Sequence, residues 1–242
     1  MDYNWNWNVF WDFAPGESSS YLQWLVTGTS WTVATTLAAF ILAFVIGGLV
    51  GTLRTSTLRP LVWLGNLYTE VFRNIPLLVQ MFICFFVVPE LLPVSRGDYL
   101  KQDLPYPSFF SAVVALTLFT SAKLSELFKA GIESVAAGQR GAALALGLRP
   151  AQMYMQVLLP QALRVVFPPL TSEALNTLKN SSVALTIGLM ELTAQARNVS
   201  EYSFNTFEAF TAATVIYVVI SLLVTFVMGR IERSLALRGA TR

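Results

Sequence analysis

The chain has 242 residues, 55% of them hydrophobic and only 12% charged, with a mean hydropathy of +0.57. A soluble domain carries about 25% charged residues, so a bilayer is the expected solvent, and the length suits one domain of several spans. The net charge of +2 leaves no footprint for nucleic acid, the absence of histidine excludes a histidine base or metal ligand, and the single cysteine, Cys84, excludes a disulfide framework.

Residues 1–25 read as an extracytoplasmic, interfacial arm. Trp5, Trp7 and Trp11 stand among Asp2, Asp12 and Glu17, and five of the six tryptophans precede residue 32. Indoles favour the headgroup layer; the other reading is that these rings pack on the protein's own surface. No cleavable signal peptide is expected, because the first positive side chain is Arg54.

A spanning helix needs roughly 20 mostly apolar residues. Runs 28–53, 61–88, 107–122 with its continuation and 209–229 meet that length or nearly do. A further run, 163–190, is interrupted by Pro168-Pro169 and holds Glu173 and Lys179. It is counted because a crossing must return the chain before 209–229. Barrel strands would alternate with period two, so the expected fold is an all-α integral membrane bundle of five transmembrane helices. Residues 26–235 form the transmembrane domain and 236–242 a cytoplasmic tail. Gly47 and Gly51 make a small-xxx-small step that signals close helix packing. Pro76 removes a backbone bond and predicts a kink at Asn74-Ile75-Pro76. Arg73 and Gln80, seven apart, share a face of the second span; Arg73 attracts either a solute carboxylate or Glu70 one turn earlier, the local pair being the simpler explanation.

Lysine and arginine in short loops set the orientation. On one side fall Arg54, Arg59 and Arg73, then Lys123, Lys129, Arg140, Arg149 and Arg164, then Arg230, Arg233, Arg238 and Arg242; on the other, only Arg96, Lys101 and Arg197. The N-terminus is therefore expected outside the cell membrane and the C-terminus in the cytoplasm. Residues 138–160 face the cytoplasm.

That segment, GQRGAALALGLRPAQMYMQVLLP, is unlike its surroundings. Ala142, Ala143 and Ala145 favour helix, Gly147 offers a stop, Pro150 suits the first turn of a second short helix, and Pro160 ends it. The result is a two-helix hook whose small side chains admit a partner's surface and whose arginines reach acidic groups on it.

These residues resemble the permease subunits of binding-protein-dependent ABC importers, whose cytoplasmic signature has the form E-A-A-x3-G-x9-I-x-L-P. Here stand Gly141, Ala142 and Ala143, then Gly147, then Val157, then Leu159 and Pro160. Gly141 replaces the glutamate and removes a carboxylate that would help hold the loop. FRNIPLLVQ at 72–80 is similar to the family's second-span motif, and residues 159–192 resemble its polar-amino-acid branch, closest to glutamate/aspartate permeases. The resemblance covers nearly the whole chain. It implies a type I ABC importer permease fold in a bacterial inner membrane, with N-terminus periplasmic. Gly141, Ala142, Ala143, Gly147, Arg149, Leu159 and Pro160 would form a coupling helix seated in a cytosolic ATPase; an amphipathic loop lying on the membrane is the bland alternative. The partners implied are a second, related permease, two ATPase subunits, a periplasmic solute-binding protein and membrane lipid.

The chain has no Gly-Lys-Ser or Gly-Lys-Thr, so no phosphate-cradling loop can be drawn, and no histidine activates a serine. It is not expected to be an enzyme or to hold a cofactor; ATP and Mg belong on the partner ATPase. Polar groups inside a bilayer are expensive and default to function. Glu173, Asn176, Thr177 and Asn180 recur at i, i+3, i+4 and i+7 on one helical face and line the expected solute path, with Arg73 and Gln80 as further candidates. Glu173 either meets an amino acid's ammonium or pairs with a basic residue of a neighbouring helix. Lys179 lies about 240° around the helix from Glu173 and cannot pair with it there. Two other functions fit a helical bundle: an ion-coupled secondary amino acid transporter, for which no inverted repeat is visible, and a non-transporting scaffold, which needs no polar stripe.

Overall fold

The computed structural model describes residues 3–14, 16, 18–135 and 137–235. The expected tail 236–242, with Arg238 and Arg242, lies outside them.

After a short 3-10 turn, Trp7–Trp11, the chain enters α1 (Tyr21–Leu53). α1 thus begins within the expected arm 1–25, and Tyr21 and Leu25 are buried in the same core as Val9 and Ala14 of the arm. α2 (Arg59–Asn74) opens with Pro60 in its first turn and closes on Ile75, whose backbone is extended (φ −78°, ψ 128°) ahead of Pro76. α3 (Leu77–Phe82) continues through a π-helical turn, Ile83–Val87, into α4 (Val88–Leu91); α5 (Val94–Asp98) and a second π turn, Tyr99–Asp103, lead to α6 (Pro107–Ser134). α7 (Ala137–Ala145) and α8 (Pro150–Met153) form the hook, and a third π turn, Tyr154–Leu158, runs into α9 (Leu159–Asn180). A 3-10 segment, Ser181–Ile187, precedes α10 (Leu192–Ser203) and α11 (Thr206–Leu235).

Three of these helices are long and apolar enough to cross a membrane, within α1, α6 and α11, or four if the broken pair on either side of Pro76 counts as one. α9 does not reach that standard, since it carries Arg164, Glu173 and Lys179. The expected interruption at Pro168-Pro169 is absent: both prolines lie inside α9. Each removes only one backbone bond, a loss that neighbouring helices make tolerable in a membrane. The expected stop at Pro160 is absent for a related reason. The widened register before it, with Leu159 N–H bonded to the Tyr154 carbonyl, absorbs a residue that has no N–H to give.

Contacts gather in two compact units. The first comprises Met1–Ala39, Leu77–Leu116 and Thr177–Leu223. Its core joins Val9 and Ala14 of the arm to Tyr21, Leu25, Leu192, Ala196, Val199, Ala209 and Ala213. The arm is tied down by the buried Glu208, which accepts from the Tyr3 hydroxyl (2.5 Å) and the Asn6 N–H (2.7 Å). That bond pushes the Tyr3 pKa up, since ionisation would set two anions together. Trp5 and Trp7 stack on each other and Tyr3 packs edge-on against Phe207, and these rings remain half-exposed.

The second unit comprises Phe40–Pro76, Thr117–Asn176 and Val224–Arg242. Ala43, Leu124, Phe128, Val166 and Leu170 form its core. The Gly47–Gly51 step is where α1 meets α6: a Cβ at Gly47 would stand 2.6 Å from Leu124 Cβ, and one at Gly51 2.6 Å from Phe128 Cβ and 2.8 Å from the Ser125 carbonyl. Gly51→Leu is therefore expected to lower the melting temperature in detergent sharply, overpacking costing about 1–3 kcal/mol or more. Gly48→Ala, whose Cβ would meet nothing closer than 3.4 Å, is expected to be neutral; equal melting of all three proteins would contradict the close approach. On α11 the side chains of Val215, Leu222, Leu223 and Phe226 are all more than half exposed, as suits a helix whose neighbour is lipid.

Candidate functional site

The hook is built from local signals. α7 closes in a Schellman motif: Gly147 (φ +77°) donates to the Leu144 carbonyl (3.0 Å) and Leu148 to Ala143 (3.1 Å). The next helix begins at once, Pro150 in its first turn and the Gln152 side chain accepting the Arg149 N–H at 2.9 Å. Ala143, Met153 and Leu158 turn inward and pack with Ile132 and Ala162, with Leu148, Tyr154, Val157 and Leu159 at the margin. Gly141, Ala142, Gly147, Arg149 and Pro160 are exposed, as are Leu146 (81%) and Met155 (71%). The signature thus divides: Ala143, Val157 and Leu159 hold the hook on its own unit, and Gly141, Ala142, Gly147 and Pro160 are exposed. A Cβ at Gly141 would meet nothing within 4 Å, so the chain itself leaves room for the glutamate it lacks.

The predicted path residues separate. Glu173 and Asn176 are half-buried and linked by a bond from Asn176 Nδ2 to Glu173 Oε1 (3.3 Å). Thr177 is buried and Asn180 half-buried on the same unbroken helix. Arg73 and Gln80 do not share a helix face, because the extended backbone at Ile75 lies between them. Arg73 pairs with Glu126 of α6 (3.3 Å) rather than with Glu70. Glu126 also binds the buried Arg54 (2.9 Å), whose remaining donors reach Asn66 (2.8 Å) and Ser125 (3.0 Å). The α1–α6 approach brings a second arginine to Glu126, and the interhelical pair takes the place of the local one.

Two features escape sequence reasoning. Glu191, fully buried, caps α10 by accepting the N–H groups of Thr193 (2.9 Å) and Ala194 (2.8 Å), and it also accepts the Tyr217 hydroxyl (3.0 Å). A helix N-terminus and a hydroxyl compensate a carboxylate that burial alone would disfavour. Tyr217, held there and against Thr193 (3.0 Å), forms part of the wall of a cavity of about 330 Å³ lined by Lys179, Ser182, Thr193, Thr214, Tyr217, Val218 and Ser221. Lys179 is the only charged group in that wall among the described residues. The cavity is an open cleft with a mostly apolar wall, in which one cation and several hydroxyls stand. The visible signal was Lys179 itself, a cation on a largely apolar helix with no local partner. Another cavity, about 380 Å³ and bounded by Cys84, Phe85, Phe110 and Val114, is mostly apolar, with Glu90 its only charged wall group among the described residues; it offers an anion nothing.

Comparison with known proteins agrees with this arrangement. Residues 43–237 match the family model described as "Binding-protein-dependent transport system inner membrane component". The chain is 45% identical over 241 residues to the glutamate/aspartate import permease protein GltJ of Escherichia coli (strain K12), covering 99% of this chain and 98% of that one. It is 30% identical over 215 residues to the glutamate/aspartate import permease protein GltK of Escherichia coli O6:H1, covering 89% and 95%. Among solved structures, a chain of an amino acid ABC transporter crystallised with histidines superposes with a TM-score of 0.73 at 28% identity, covering 88% of this chain and 95% of that one. The chain is a multi-pass membrane protein, and it belongs to the family of binding-protein-dependent transport system inner membrane components, permease subunits that leave ATP hydrolysis to separate subunits.

Proposed function

We propose that this chain is one permease subunit of an ATP-driven importer that carries glutamate and aspartate into the cytoplasm. The observation that carries the reading is the hook: a rigidly capped element whose outward side chains, Leu146 and Met155 above all, are apolar and exposed although charge counting places them in the cytoplasm. An exposed apolar patch of that kind calls for a protein partner. A groove on a cytosolic ATPase holding ATP and Mg supplies it, Arg140 and Arg149 meeting acidic groups at its edge. Two ATPases would dock under two permeases, this chain and a related one; the similarity to both GltJ and GltK supports a related pair over an identical one. A periplasmic binding protein would deliver solute from above, to five spans with α9 as the fourth, N-terminus periplasmic and C-terminus cytoplasmic. ATP binding would draw the hooks together and turn the path outward; hydrolysis would return it.

The solute class is supported by the names of the relatives and by the cavity at Lys179, which suits a carboxylate. Glu173, bonded by Asn176, is by itself a candidate to meet an ammonium along the path. In proteoliposomes holding the complete importer, uptake of labelled glutamate should require ATP and the binding protein, and the ATPase should co-purify with this chain. Ion-driven uptake by this chain alone, with no ATPase retained, would sink the reading in favour of a secondary transporter. Glu173→Gln is expected to reduce uptake about tenfold, the loss of one charge-assisted bond; wild-type transport by that variant would remove Glu173 from the path.

A further inference from the structure

The hook has a mechanical weakness at its exit. Helix α8 gives way to the π turn Tyr154–Leu158, and Pro160 follows shortly after. Wide i→i+5 closure and a missing N–H leave this connection to α9 with fewer regular i→i+4 bonds than a continuous helix has. A push or pull on the hook would be absorbed there by local unwinding unless a second connection bypassed it.

One such connection exists within the same unit. The Tyr154 hydroxyl donates to the Thr55 carbonyl at 2.7 Å and lies 3.2 Å from Thr55 Oγ1. Thr55 stands in the closing turn of α1, its hydroxyl also reaching the Thr52 carbonyl (2.8 Å). The adjacent residue is Arg54, whose buried guanidinium reaches α2 through Asn66 and α6 through Ser125 and Glu126. Ser125 in turn meets Thr69 of α2 (2.7 Å). From one phenol at the base of the hook, polar contacts therefore run to α1, α2 and α6. Arginine suits the centre of such a junction, because its planar fork fixes several partners at once and cannot lose its charge.

We infer that Tyr154 is the positioning residue that transmits hook movement to the membrane helices, through Thr55 and the Arg54 junction, past the compliant π turn. The inference rests on the importer reading. It assigns to Tyr154 a role in coupling rather than in docking, since its ring lies among the inward residues of the hook and not on the outward side.

The test uses the complete importer, with both permeases, the ATPase and the binding protein, in proteoliposomes where ATP hydrolysis and uptake are measured together. Tyr154→Phe keeps the ring and removes the hydroxyl. The ATPase should remain bound and hydrolyse ATP at the wild-type rate, while solute imported per ATP falls about three- to tenfold, the shift expected from one lost hydrogen bond. Unchanged uptake per ATP in Tyr154→Phe overturns the inference, and so does an equal fall in both activities with the ATPase lost from the complex, which is a merely structural effect. If the wild-type chain retains no ATPase at all, it is the importer reading that fails.

Discussion

Leu146→Asp is expected to abolish uptake while the subunit inserts, folds and melts as the wild type does. Leu146 is 81% exposed, so the chain itself loses no contact, and surface changes of that kind alter stability by only about 0.5 kcal/mol. In a docked complex the same side chain would sit in a desolvated groove, where a central anchor is worth about 2 kcal/mol or more and a buried unpaired carboxylate costs further. Retention of the ATPase on the purified permease measures the effect; a fall of about 30-fold or more in apparent affinity is expected. Gly147→Trp should act in the same direction by two routes. Its backbone lies at φ +77°, where a side chain costs roughly 1–2 kcal/mol, and the indole would project from an exposed bend with no neighbouring atom within 4 Å of its Cβ. Gly147→Ala carries the strain without the bulk, so it should retain more of the ATPase than the tryptophan variant does. Full ATPase retention by both Leu146→Asp and Gly147→Trp would refute the hook as the docking element.

Lys179→Gln should remove most glutamate and aspartate uptake while leaving the complex assembled. Its cavity wall offers hydroxyls from Ser182, Thr193, Thr214, Tyr217 and Ser221 but no second cation among the described residues. A hydrogen bond to a charged partner is worth about 1.5–3 kcal/mol, which corresponds to roughly ten- to a hundredfold in uptake at limiting solute. Lys179→Arg, preserving charge but altering reach, should fall between. The decisive comparison sets glutamate against glutamine uptake: loss of discrimination between them points to the cation, whereas equal uptake of glutamate by wild type and Lys179→Gln removes the cavity from the path.

The parts that sequence reasoning read well are those written within a few residues of one another. Gly147 as a left-handed stop, Pro150 as a helix start and the alanines before them all act through adjacent backbone, and the hook appears with that order. The Gly47–Gly51 step also survives, because small residues at that spacing have few uses other than close packing. Prolines misled: Pro160, Pro168 and Pro169 look like breakers, yet a π turn and a membrane setting accommodate all three. Arg73 misled as well. Its nearest acid in sequence is Glu70, but the approach of α1 to α6 at the glycines places Glu126 between Arg73 and Arg54. Nothing local to Glu191 or Tyr217 hints that they meet.

An ATPase elsewhere is what the resemblance to importer permeases implies; from composition and spacing alone follow an apolar helical membrane bundle and a hook with its caps. Each depends on composition or on spacings no longer than a turn or two of helix, where backbone geometry dictates the outcome. Tertiary structure alone decided which acid holds Arg73, that Arg54 is a buried junction beside the Thr55 that Tyr154 bonds, and that Lys179 stands in the wall of a cleft with several hydroxyls. Those contacts depend on which helix faces come together, and residues far apart in the chain settle that jointly by fitting or failing to fit.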